Sequence, residues 1–122
     1  MDFHHQKITT SMGLDDFLRV LYPQQDKYRI AAAWLIAESG KREDGLDGYE
    51  LTKICAEKHI SRATMQKTFV RLRNLGIIDR RNMRYYVNSE FSGAARRLSD
   101  AWRNMVREKK FSFDESVLRV NL

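Results

Sequence analysis

The chain has 122 residues, with 22 Lys or Arg against 16 Asp or Glu, a formal net charge of +6. One domain of this size buries a hydrophobic core without staples, and 43% hydrophobic with 31% charged residues suits a folded globular chain rather than a disordered one. A single cysteine excludes an internal disulfide and a four-cysteine zinc site, and no apolar run approaches the roughly 18 residues of a membrane span.

Residues 1–12 are polar with scattered apolar groups and read as a frayed lead-in without a signal-peptide pattern, so a reducing, cytoplasmic location is expected. Leu14, Phe17, Leu18, Leu21 and Tyr22 recur at helical spacing behind Asp15 and Asp16, and Pro23 ends that short helix. Asp26 is the expected N-cap of a second helix, Ala-rich and apolar from Tyr28 to Ala37, which Ser39-Gly40 stops. Lys41 to Gly48 reads as a loop. Tyr49, Leu51, Ile54, Cys55 and Ala56 form the apolar stripe of a third helix, with Cys55 as a small core residue.

Ser61 is the expected N-cap of a fourth helix. Met65, Thr68, Phe69, Leu72 and Leu75 line one of its faces, and Gly76 is the stop. Residues 77–87 place two β-prone runs around a polar centre at Asn82, a short hairpin. Tyr85 and Tyr86 are strand neighbours and point to opposite faces. A long helix follows to about residue 110, with Phe91, Ala94, Ala95, Leu98, Ala101, Trp102, Met105 and Val106 as its stripe. Residues 111–122 fit strand, short helix or docked tail equally. The fold class is therefore mainly α with a small β-hairpin. The organisation is an N-terminal extension with a short helix (1–25), a core (26–90), and a C-terminal helix with a tail (91–122).

Charge is unevenly spread. Residues 14–59 carry a net −2, residues 60–84 a net +6 and residues 91–110 a net +4. The basic excess thus lies in two segments of the C-terminal half, as expected for a polyanionic partner. The run Ile60-Ser61-Arg62-Ala63-Thr64-Met65-Gln66-Lys67-Thr68-Phe69-Val70-Arg71-Leu72-Arg73-Asn74-Leu75-Gly76-Ile77-Ile78 has a Ser-Arg-x-Thr helix start, a Leu-rich face and a Leu-Gly-Ile-Ile exit. With its flanks from Tyr49 to Val87 it resembles the winged helix-turn-helix of bacterial and archaeal regulators such as the MarR, GntR and PadR families. That resemblance implies a recognition helix over residues 61–75 and a basic wing over 79–85, to which the periodicity adds an extra N-terminal helix and a long C-terminal helix.

The residues support that expectation on their own terms. A helix that packs on Met65, Phe69, Leu72 and Leu75 turns Ala63, Lys67 and Asn74 outward. Arg62, Gln66 and Lys67 then reach base edges, Ser61 and Thr64 bond phosphate at the helix N-terminus, and Arg71 flanks them. Arg80, Arg81 and Arg84 bracket the hairpin turn without an acid at its tip, ready for phosphates or the minor groove. Leu98, Trp102 and Met105 are the expected dimer seam, which would set two recognition helices about one turn of duplex apart. Arg96, Arg97, Arg103, Arg107, Lys109 and Lys110 lie outside that seam.

His4, His5 and His59 lack metal-ligand spacing with Cys55, and no phosphate loop or catalytic constellation stands out. The expectation is a non-enzymatic transcriptional regulator, without metal or cofactor, that binds double-stranded DNA as a homodimer. An apolar effector has room between the first and last helices. DNA partition, replication or architectural coating is the rival use of the same surface, and a winged-helix protein-interaction module is the rival of another class. RNA fits less well, since A-form grooves do not admit such a helix.

Overall fold

The computed structural model describes residues 8–119. His4, His5, Val120 and Leu122, together with most of the expected lead-in, lie outside them. The order is α1 (Leu14–Leu21), α2 (Asp26–Gly40), β1 (Leu46–Asp47), α3 (Gly48–Glu57), α4 (Arg62–Leu75), β2 (Ile78–Arg81), β3 (Arg84–Val87), α5 (Glu90–Glu108) and α6 (Glu115–Leu118). The molecule is mainly helical with a small antiparallel sheet of order β1-β3-β2. It divides after Phe91 into two compact units.

In the first unit α2 is central, packing on α1, α4 and β3. Its alanines explain this role: Ala31 and Ala32 have no side chain to hold a neighbour off, and both are fully buried with Leu35. The N-cap is Gln25, not Asp26, and it makes no side-chain cap. Asp26 instead pairs with Arg29, one turn on. Arg29 also donates to the carbonyl of Tyr22 at 2.6 Å and so ties the end of α1 to the start of α2. Leu18, Leu21 and Tyr22 belong to the main core, and Phe17 meets Phe91 edge to face at 5.6 Å.

The expected loop at 41–48 contains a strand. Leu46 is fully buried and pairs with Tyr85, and Asp47 pairs with Arg84. Gly45 makes the turn into it with φ +81°, and a Cβ there would come within 2.7 Å of the Tyr86 ring. Asp47 then caps α3 by accepting from the Tyr49 N–H at 2.7 Å. That register corrects the expected stripe of α3: Leu51 is buried and Ile54 and Cys55 half-buried, but Tyr49 is 79% exposed. Burial pushes the Cys55 thiol up from its ordinary pKa.

Two hydrogen bonds close α3: His59 N–H to the carbonyl of Ala56 and Ile60 N–H to that of Cys55. His59 takes the left-handed conformation, φ +58°, that this ending demands. Gly76 ends α4 by the same device, and its N–H bonds to the Arg73 carbonyl. In the second unit α6 is a short helix capped by Asp114, whose carboxyl the Ser116 hydroxyl and N–H hold below its ordinary pKa. Of the readings open for the tail, the described residues take the short helix.

Candidate nucleic-acid interface

Helix α4 owes its bounds to local chemistry. Ser61 Oγ accepts from the Thr64 N–H at 3.1 Å, and Gly76 supplies the left-handed stop. Thr64, Met65, Thr68, Phe69 and Leu72 are buried. Arg62, Ala63, Gln66, Lys67, Arg71, Arg73 and Asn74 are exposed, and the helix holds no acidic residue. A shallow, open concavity of about 580 Å³ runs along this face between Gln66, Lys67, Val70, Arg71, Asn74 and Leu75.

Of the expected contact residues, Ser61, Arg62, Gln66, Lys67 and Arg71 lie on the exposed side. Thr64 does not. It sits on the buried face one turn before Thr68, whose hydroxyl donates to the Thr64 carbonyl at 2.7 Å. The Thr64 hydroxyl oxygen accepts from Ser61 at 2.8 Å, so it is satisfied inside the protein and unavailable to phosphate. Ser61 itself is committed to its cap.

Among the described residues Arg62, Lys67, Arg71 and Arg73 have no carboxylate within 4 Å. Several guanidiniums of this region rest on aromatic rings: Arg71 over Tyr22 at 5.2 Å, Arg73 over Phe69 at 5.4 Å, Arg80 over Tyr85 at 5.4 Å and Arg81 over Tyr86 at 4.4 Å. A ring face orients a guanidinium yet leaves its N–H edge free to bond. Tyr22 is buried, and that burial raises its phenol above the ordinary pKa against the opposing pull of Arg71.

No family model, curated protein or solved structure matches this chain.

The hairpin corrects one expectation. Its arginines are not free of acids. Arg81 and Arg84 face each other across the strands, a like-charge pair that costs stability unless compensated. Asp79 meets Arg81 at 3.1 Å, and Asp47 of β1 lies 3.9 Å from Arg84. Arg84 also donates to the Asp44 carbonyl at 3.4 Å. Only Arg80 of the three lacks a carboxylate partner among the described residues. The exposed Arg81–Asp79 pair is worth little and releases its arginine at small cost. The tyrosines divide as strand geometry requires: Tyr85 packs edge to face on Phe69 at 5.1 Å, while the Tyr86 ring lies against Gly45.

The sequence reading missed two exposed side chains beside this surface. Met83 at the hairpin tip is 72% exposed, and Tyr49 opens α3. The hairpin tip lies near the start of α3: a Cβ on Gly48 would lie 3.9 Å from the Met83 carbonyl. The pattern Arg81-Asn82-Met83-Arg84 was the available signal for Met83, since a two-residue turn has no interior in which to hide it.

The expected seam residues Leu98 and Trp102 are 62% and 58% exposed, and Met105 is half-buried. No residue of α5 is buried. Trp102 meets the Phe111 ring at 6.3 Å. Among the described residues no cluster of three or more His, Cys, Asp and Glu is placed to hold a metal, and no helix is long and apolar enough to cross a membrane.

Proposed function

We propose that this chain is a winged-helix protein that binds double-stranded DNA and regulates transcription by occupying a specific site. The observation that carries this is the exposed face of α4, which is cationic and acid-free. A major groove presents acceptors on its floor and phosphates on its walls, and such a face is complementary to both. Arg62, Gln66 and Lys67 read base edges, and Arg71, seated on Tyr22, takes a phosphate. The hairpin follows as the wing, with Arg80 and, once freed from Asp79, Arg81 on the backbone or in the minor groove. The order α2-β1-α3-α4-β2-β3, with β1 pairing β3, suits this reading.

The protein acts in the cytoplasm as a homodimer, without catalysis. The dimer reading is supported by the uncovered stripe of α5, where Leu98 and Trp102 lie open to solvent.

Fluorescence anisotropy with random-sequence duplex at two salt concentrations tests the interface. Binding that falls steeply with salt is expected, with a slope of about 0.9 per phosphate neutralised. No binding at low salt overturns the reading and moves the function to a protein-interaction module.

A further inference from the structure

The hairpin tip carries a residue that stability does not explain. Asn82 and Met83 form its two-residue turn with φ +52° and +63°, both left-handed. Turns of this kind match the twist of the flanking strands and favour Asn followed by Gly. Asn82 fits. Met83 stands where glycine is preferred, and a side chain bearing Cβ is strained there. Burial does not compensate, because the side chain is 72% exposed.

The surroundings of Met83 are specific. Arg81 and Arg84 flank the turn as directly opposed strand partners. The tip is braced from behind: Arg84 pairs with Asp47 of β1, and the Met83 carbonyl lies close to the start of α3 at Gly48. The result is an unbranched apolar side chain on a braced turn whose two flanking residues are arginines.

From this we propose that Met83 is a wedge that enters the minor groove and partly unstacks one base step, so that the protein bends the duplex it binds. The inference rests on the DNA-binding reading above and deepens it. Apolar side chains inserted from the minor groove open a step and kink the duplex, and flanking cations draw the phosphates over the protein. The chemistry also selects the step. Pyrimidine–purine steps unstack most easily, so a wedge favours TpA or CpA at a fixed distance from the bases that α4 reads. Backbone strain kept at an exposed position is expected where a side chain acts on a ligand.

The test starts from a random-sequence duplex pool, selected in parallel with wild type, Met83→Gly and Met83→Leu. The recovered wild-type duplex is then labelled at both ends for energy transfer. Wild type and Met83→Leu should recover the same flexible step and shorten the end-to-end distance on binding. Met83→Gly should lose the preference at that step, leave the duplex straight and bind it about tenfold more weakly, the cost typical of one wrong base pair. Its melting temperature should rise, since the left-handed strain is gone, which also shows that the variant folds. A Met83→Gly protein that selects the same step and bends the duplex like wild type overturns the wedge while leaving DNA binding intact. A wild type that recovers no duplex overturns the binding reading itself, and the wedge with it.

Discussion

Helices α4 and α5 are written in the same code and meet different fates. Both are amphipathic, with basic residues on their polar faces. Helix α4 buries five residues, whereas α5, longer at 19 residues, buries none. The apolar period says that a helix has something to bury, not what will cover it. For α4 the cover is α2 and the hairpin, and its outer face is left cationic. For α5 the apolar stripe itself, with Leu98, Trp102 and Val106, remains open. A helix that already packs can spend its other face on a ligand. One whose apolar stripe stays open has that stripe to offer.

The largest effect that probes this contrast is a core truncation. Phe69→Ala should cost about 3–5 kcal/mol in urea unfolding, while Leu98→Ala, read at protein concentrations low enough to hold the chain monomeric, should cost under 1 kcal/mol. Equal costs would mean that the α5 stripe is covered after all. Next is Trp102→Glu, which should halve the mass seen by light scattering with a loss of at least about 2 kcal/mol in association. A mutant that stays dimeric would show that the dimer closes on a surface other than Trp102.

On the outer face of α4, Arg62→Ala with Lys67→Ala should weaken binding to a selected duplex by about 1–3 kcal/mol, and to random duplex by clearly less. Equal losses would leave these residues as phosphate contacts without a base-reading role. The smallest effect lies at the end of α2. The Lys41 hydrogen bond, followed by the charges of Lys41 and Arg42, holds the Glu38 carboxyl below its ordinary pKa. Its stabilisation is therefore present at neutral pH and fades as pH falls through the lowered value. Glu38→Gln should flatten the acid limb of a stability–pH curve by no more than about 1 kcal/mol. An unchanged limb would assign acid sensitivity to other groups.

Legibility in the sequence followed the range of the interaction. Ser61 and Gly76 bound α4 as expected, because caps act within a turn. The buried set Met65, Thr68, Phe69 and Leu72 was legible from period alone. Thr64 was misplaced because a hydroxyl near a helix start reads as polar and exposed, yet its position one turn before Thr68 puts it inside. Tyr49 was misplaced for a related reason. Its face depends on where α3 begins, and the cap that sets the beginning is Asp47. For Arg84 the acid-free hairpin tip failed on distance: Asp47 reaches it only after β1 pairs with β3.

By itself the sequence determined helices α1 to α5, the hairpin, the basic excess of residues 60–84 and the cationic face of α4, because each follows from neighbours within about a turn or a strand pair. Tertiary structure alone decided that Leu46 is core, that α1 is too, which arginines sit on rings and which face carboxylates, and that Met83 stands exposed on a braced turn. Those outcomes depend on residues far apart in the chain, and no local pattern encodes which of two apolar stripes will find a surface to cover it.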